Sequence, residues 1–482
     1  MKLLSGSNFM SIKHRALLGI VTTALLVFGG GEVMAVESTA TSSEAAAENY
    51  EDNWWRGVRK GMWEWEGAEW AVVKGALARI EAATGKRRYE DKFDTIIDYG
   101  PGHWVYEWSV IGDEAYKAGL AHEKNNEREA ARKSFMQSSV YYTQASYPHL
   151  RDVHSRAAVV KAFEMYALAG RYFAVPMEQW DLEVDGAHFK AFIHFPERQS
   201  SKPLPVILKT GGMDVLSTEF YRLSKMINDT GAAMIVYDSP GTGNDGIVDA
   251  QYDKHHVAVL KRVLEDDRFD NKRIGIWSES LAGLTAVRIA LGDHRESIAA
   301  VVNSCGPIHA LYAMELPMGN PSQLKLSELL ESYNNGELSQ AEIDEINVAM
   351  SSGEGARNFQ REAFIDRVRA DPNDIFDLLS KSLPISLIEQ DLLNKKNVTN
   401  TPILTINTHF DPLVPLSESQ LVTDASVQGK LMIYTEYGGH CVSRDEIPTI
   451  IEWLSYHLKL ESLGQVVNAN RVKINIINQA KS

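Results

Sequence analysis

Apolar and aromatic positions recur every three or four residues from about Asn53 to Phe173, with few β-branched runs, which predicts a set of helices separated at Gly100-Pro101-Gly102 and at Pro148. From Trp180 the pattern shortens. Leu182 to Val184, an Asp185-Gly186 turn and Phe189 to Phe195 predict a β-hairpin. Short apolar runs then alternate with helical segments, at Val206 to Lys209, Ala233 to Tyr237, Ile274 to Trp277, Ile298 to Val302, Ile403 to Ile406 and Leu431 to Tyr434. Alternation of this kind predicts an α/β fold with a mostly parallel sheet flanked by helices. One connection is anomalous. About 100 residues separate Val302 from Ile403, against the 2 to 6 of an ordinary connection. Amphipathic helices are expected there around Leu324 to Tyr333, Gln340 to Met350, Glu362 to Val368 and Ile375 to Leu379. An insertion at this point of the sheet reads as a helical cap over a site, the alternative being a subdomain packed elsewhere.

The 482 residues suffice for one large domain with an accessory region or for two domains, and 44% hydrophobic with 23% charged residues is ordinary globular usage. A net charge of −15 and the lack of a Lys/Arg stripe argue against nucleic acid as a partner. Lys2, Lys13 and Arg15, the apolar run Ala16 to Phe28 and Val33-Met34-Ala35 read as an export signal cleaved after Ala35. An uncleaved anchor is the alternative, but the apolar run is shorter than the roughly 20 residues of a spanning helix. Periplasmic or secreted location is therefore expected, with no stable membrane span after cleavage. The expected organisation is a signal (1–35), a leader (36–52), an N-terminal helical domain (53–175), an α/β domain (176–460) with a helical cap at about 307–400, and a tail (461–482). Seven of the ten tryptophans fall between Trp54 and Trp108, and a helical core is favoured over an aromatic lid as their role. The two cysteines, Cys305 and Cys441, leave one bridge open, with two buried free thiols as the favoured reading.

Candidate chemistry centres on Ile274-Gly-Ile-Trp277-Ser278-Glu279-Ser280-Leu281-Ala282-Gly283, a strand leading through a tight turn into the helical run Leu284 to Leu291. Such a turn lifts a serine hydroxyl above the sheet as a nucleophile. Ser278 and Ala282 stand where the usual pattern has glycines, so the motif alone is weak, and Ser280 as a helix cap is the bland alternative. A serine becomes nucleophilic only beside a histidine oriented by a carboxylate. The expected chain order of serine, acid and histidine is met by Asp411, after the Ile403 to Ile406 strand, and His440, after the last strand. Singly, Asp411 reads as a turn residue and His440 as a loop residue; jointly they point to a catalytic triad. Backbone donors for an oxyanion are expected at Leu281 and, in the Lys209-Thr-Gly-Gly-Met-Asp214 loop, at Gly212 or Met213. The Asp238-Ser-Pro-Gly-Thr-Gly243 loop is expected to shape a pocket floor. His255, His256 and His409 read as structural. No Cys/His metal spacing and no phosphate-binding glycine loop occurs in the sequence.

At these motifs the chain resembles the FrsA-like branch, the fermentation-respiration switch proteins, of the α/β hydrolases, with a relationship to dihydropseudooxynicotine hydrolases. The resemblance spans roughly Trp54 to Leu458. It is carried by Tyr99-Gly-Pro-Gly-His-Trp-Val-Tyr-Glu-Trp108, Ala145-Ser-Tyr-Pro-His-Leu150, the Gly211-Gly212 loop and the Asp238-Ser-Pro-Gly241 turn. The resemblance implies an N-terminal helical domain packed on an α/β-hydrolase domain. It also implies activity on small-molecule carboxylic esters. The elbow departs from the family in lacking both glycines, and an export signal is unexpected for a family whose namesake is cytoplasmic. The expected function is serine esterase action through an acyl-enzyme, with no cofactor or metal required. Carbon–carbon bond hydrolysis of a ketone by the same residues is the alternative, and a non-catalytic binding protein on the same fold is a third. Homo-oligomerisation stays open.

Overall fold

The computed structural model describes residues 53–197, 202–310, 323–351, 358–441 and 444–460. The expected export signal, leader and tail lie outside these residues. Among the described residues five helices come first: α1 (Lys60–Glu66), α2 (Trp70–Ala82), α3 (Trp104–Lys124), α4 (Arg128–Ser146) and α5 (Val153–Gly170). The chain breaks between α2 and α3 and between α4 and α5 fall at the Gly100-Pro101-Gly102 and Pro148 segments, and Asp152 caps α5 by accepting from the His154 and Ser155 amides. The tryptophans knit this layer together. Trp63 packs edge-on against Trp108 at 5.0 Å, Trp104 lies 5.4 Å from Trp108, and the Trp104 indole N–H donates to the Gln144 carbonyl at 2.7 Å.

The strands β1 (Glu178–Val184), β2 (Ala187–His194), β3 (Leu204–Thr210), β4 (Ala233–Tyr237), β5 (Phe269–Glu279), β6 (Ala300–Ser304), β7 (Ile403–Phe410) and β8 (Lys430–Gly438) form one sheet in the order β1-β2-β4-β3-β5-β6-β7-β8. Only the β1–β2 and β2–β4 pairings are antiparallel. Asp185 and Gly186 both take positive φ, 53° and 77°, as a two-residue hairpin whose twist matches its strands demands. β1 is the half-exposed edge, and its Glu178, Asp181 and Glu183 keep that edge charged.

The central strands are buried on both faces, and alternate residues go to opposite cores. Val206 and Leu208 of β3, Ile235 of β4 and Ile276 of β5 face α7 (Lys254–Leu264) and α8 (Leu281–Leu291). Ile207, Met234, Val236 and Trp277 face α6 (Tyr221–Asn228), α14 (Ile447–Leu458) and the N-terminal helices. The tryptophan layer and that sheet face thus share one hydrophobic cluster, with Phe163 and Tyr166 of α5 against Phe192 of β2 at 5.9 and 5.1 Å.

Between β6 and β7 stand α9 (Gln323–Asn334), α10 (Gln340–Ser351), α11 (Phe359–Val368) and α12 (Ile375–Ser382); α13 (Leu416–Asp424) follows β7. α11 docks on the N-terminal layer. Its Phe359 packs against Trp55 and Tyr147, Glu362 forms a two-bond pair with Arg88 at 2.7 Å, and Asp366 pairs with Arg151 at 3.1 Å. Among the described residues no helix is long and apolar enough to cross a membrane.

Candidate active site

β5 ends at Glu279, Ser280 turns with φ 50° and ψ −135°, and α8 begins at Leu281. A positive φ at a residue with a side chain costs about 1–3 kcal/mol and persists only where the surroundings enforce it. Here the Ser280 amide donates to the Ser304 carbonyl of β6 at 2.9 Å, and the Ser280 carbonyl accepts from the Gly283 amide at 2.7 Å. Ser280 makes no capping bond to α8. Its hydroxyl is directed instead to His440 Nε2, at 2.7 Å.

His440 Nδ1 lies 3.1 and 3.0 Å from the two Asp411 oxygens. An ionised carboxylate only accepts, so this contact places the proton on Nδ1 and leaves Nε2 to accept from the serine hydroxyl. The Asp411 side chain is fully buried, and one of its oxygens also accepts from the Leu413 and Val414 amides at 2.8 and 3.0 Å. That turn is held from beneath by Asn407, which donates to the Val414 carbonyl at 2.8 Å. Thr408 donates to the Gly439 carbonyl at 2.7 Å, fixing the loop that carries His440. The three residues singled out by chain order are therefore the three brought together, across 160 and 29 residues of sequence.

Gly212 stands directly against the serine. A Cβ there would lie 2.8 Å from Ser280 Cβ and 3.2 Å from its Oγ, closer than a side chain allows, so the β3 loop brings bare backbone to the hydroxyl. Met213 follows in the same loop, and Leu281 opens α8 directly after the serine. Ser278 and Ala282 are fully buried, but the tightest approach comes one residue later than the motif suggested. A Cβ at Gly283 would fall 2.1 Å from Asn303 Oδ1.

The cysteines correct the sequence reading. Cys305 and Cys441 are not free thiols; they form a disulfide with their Cα atoms 5.0 Å apart. β6 and β8 flank β7, so the loops leaving them meet over the end of β7, a proximity that 136 residues of intervening chain conceal. Cys305, His440 and Cys441 lie close enough to suggest a metal site, but the sulfurs are consumed by each other. Closing a loop of this length stabilises by about 2–5 kcal/mol. Cys305→Ser is expected to lower the denaturant midpoint accordingly, and an unchanged midpoint would contradict a stabilising bridge.

Beneath the serine lies a buried charge network that the sequence did not suggest. Lys209 of β3 is fully buried, 2.5 Å from Glu279 Oε1, with its ammonium 4.6 Å from the ring centres of Phe220 and Trp277. Ser304 Oγ lies 2.8 Å from both oxygens of buried Glu446. Burial, reinforced by the Glu279 charge, pushes the Glu446 carboxyl up to about 8 from an ordinary 4.5. The folded protein then keeps a proton that the unfolded chain has already lost, so this contribution to stability is complete below pH 4.5 and is lost as pH rises to about 8. Glu446→Gln should flatten the decline of Tm across that window; an identical slope in the variant would contradict the assignment.

The remaining polar candidates have structural partners. Asp238 is buried and accepts from the Ser217 amide at 2.7 Å and hydroxyl at 2.9 Å. His255 stacks on Phe189 at 3.9 Å with Nδ1 2.9 Å from the Asp238 carbonyl, and His256 Nε2 lies 3.2 Å from Ser278 Oγ. His409 is exposed and packs edge-on against Phe410 at 4.3 Å.

The chain and its fold have counterparts among known proteins. "Esterase FrsA" of Photobacterium profundum is 24% identical over 421 residues, covering 86% of this chain and 91% of that protein. "Esterase FrsA" of Vibrio vulnificus is 28% identical over 382 residues, covering 78% and 82%. Among solved structures, a 2,6-dihydroxy-pseudo-oxynicotine hydrolase superposes with a TM-score of 0.57 at 18% identity, covering 83% of this chain and 96% of that one. AbyA5 superposes with a TM-score of 0.55 at 17% identity, covering 81% and 90%. These two structural likenesses establish an α/β-hydrolase fold. The family description "Esterase FrsA-like" matches residues 31–324. The chain belongs to the FrsA-like esterase family of α/β hydrolases, a membership that supports hydrolase or esterase activity.

Proposed function

We propose that this protein is a serine hydrolase that cleaves carboxylic esters of small molecules through an acyl-enzyme on Ser280. The observation that carries the reading is the continuous path from Ser280 Oγ to His440 Nε2 at 2.7 Å and from His440 Nδ1 to Asp411 at 3.0 Å. Ser280 Oγ attacks the ester carbonyl while its proton passes to His440 Nε2, and Asp411 holds the imidazolium so formed. The carbonyl electron pair moves onto oxygen, where the amides of Leu281 and Gly212, with Met213 as the alternative to Gly212, receive it. Collapse of this adduct expels the alcohol, protonated by His440. Water then enters, gives its proton to His440 and attacks the acyl carbon; the carboxylic acid leaves as Ser280 recovers its proton.

We place this activity outside the cytoplasm, in the periplasm or secreted. The N-terminal signal pattern supports that location, and so does a disulfide beside the histidine, since such bonds persist in oxidising compartments. Product analysis tests the chemistry. Purified protein incubated with a panel of carboxylic esters should release stoichiometric carboxylic acid and alcohol. Cleavage of ketone carbon–carbon bonds without ester turnover would instead establish the alternative reaction on the same residues.

A further inference from the structure

The β3 loop that presents Gly212 contains two adjacent glycines, and a Gly-Gly backbone has more rotational freedom than any other dipeptide. Oxyanion donors must nonetheless be held to within a few tenths of an ångström, because a misplacement of about 1 Å costs on the order of 100-fold in rate. Something outside the loop has to fix it.

The fixing groups come from two directions. From the N-terminal layer, the Tyr147 hydroxyl donates to Asp214 Oδ2 at 3.0 Å, and His149 Nε2 lies 3.2 Å from the Asp214 carbonyl. From the insertion between β6 and β7, Arg367 of α11 reaches inward with no solvent exposure at all. Its guanidinium donates to the Met213 carbonyl at 2.7 Å, the Pro148 carbonyl at 2.9 Å, the Ala363 carbonyl at 2.8 Å and Thr242 Oγ1 at 3.3 Å. The Thr242 hydroxyl in turn donates to the Met213 carbonyl at 3.0 Å. Both donors therefore converge on one carbonyl of the glycine loop.

A buried cation is costly, and its four hydrogen-bond acceptors here are three carbonyls and a hydroxyl, none of them a carboxylate. An apolar side chain would fill the space more cheaply, so the guanidinium is better explained by what it orients than by what it stabilises. A planar five-donor fork can serve several diverging acceptors at once, which an ammonium on a flexible stem cannot.

We propose that Arg367 is a positioning residue for the oxyanion site: it pins the Met213 carbonyl and thereby fixes the Gly212 and Met213 amides against Ser280. Through α11 the insertion thus ties the N-terminal layer and the β4 loop to the loop that receives negative charge. This inference rests on the serine-hydrolase reading.

The test is steady-state kinetics of Arg367→Lys on the full-length protein, normalised to active sites titrated to end point with a fluorophosphonate. The expected result is a fall in kcat per site of tenfold or more with KM within threefold of wild type. Glu362→Gln, which breaks the exposed Arg88 pair of the same helix, should leave kcat unchanged; an equal loss in both variants would assign the effect to helix docking and overturn the specific role. Full kcat per site in a folded Arg367→Lys protein also overturns it. If that variant does not fold, Thr242→Val decides, with at least a threefold fall in kcat expected and unchanged kcat contradicting the proposal. A wild type that labels at Ser280 alongside fully active variants sinks the positioning role alone, whereas a folded wild type that never labels sinks the hydrolase reading.

Discussion

Ser280→Ala is expected to lower kcat by about 10^5-fold to 10^6-fold while leaving the fold intact. The side chain is only partly buried, and among the described residues its hydroxyl is bonded to His440 alone, so removing it costs little in packing. The strained φ of 50° at this position is enforced by the Ser304 and Gly283 backbone bonds, which alanine retains. What disappears is the nucleophile. Residual hydrolysis should come from water attacking an ester carbonyl polarised by the amides of Leu281 and Gly212, and KM should change little, since the hydroxyl adds nothing to ground-state binding that the rest of the site does not supply. Steady-state kinetics with any ester turned over by the wild type reads this directly. A loss below tenfold would mean that another group carries the reaction.

Asp411→Asn should cost about 10^4-fold in kcat, nearly as much, for a subtler reason. Asparagine preserves size and can still accept from the Leu413 and Val414 amides, so the β7 turn should hold. Toward His440, however, an amide can present its N–H₂ where the carboxylate presented lone pairs. The imidazole then shifts its proton to Nε2, the nitrogen that must receive the serine proton, and no buried negative charge remains to hold the imidazolium. The loss should ease at high pH, where hydroxide replaces the general base. A pH-rate profile parallel to wild type with a loss below tenfold would show that Asp411 merely shapes the turn.

The mostly parallel sheet was legible because the central strands are continuous apolar runs, bounded by turns, that only a doubly covered sheet can bury; the order of the strands within it was not. Ser280, Asp411 and His440 stood out for a related reason: strand ends and chain order constrain where such residues fall, even though the elbow itself lacks glycines at Ser278 and Ala282. Side-chain contacts between distant segments were not legible. Arg367 sits in Asp366-Arg-Val-Arg369 with nothing local to distinguish it from its neighbour Arg369, and only the folded chain carries it 154 residues back to Met213. Lys209 closes the apolar run that begins at Val206, and nothing in that run points to Glu279; Glu446 stands 142 residues from Ser304, so this pairing exists only in the folded chain. The disulfide is hidden for the same reason, since two cysteines 136 residues apart give no spacing signal until β6 and β8 are known to flank β7. The tryptophan-rich segment forms core as its helical spacing predicts: Trp54, Trp63, Trp104 and Trp108 pack on one another, while Trp55 packs on Phe359 of the insertion.

The most direct measurement is covalent labelling of the folded protein with a fluorophosphonate, followed by peptide mapping. A triad of this geometry requires a single stoichiometric adduct on Ser280, abolished in Ser280→Ala and slowed in Asp411→Asn. Folded protein that takes up no label, or an adduct that persists in Ser280→Ala, would contradict it.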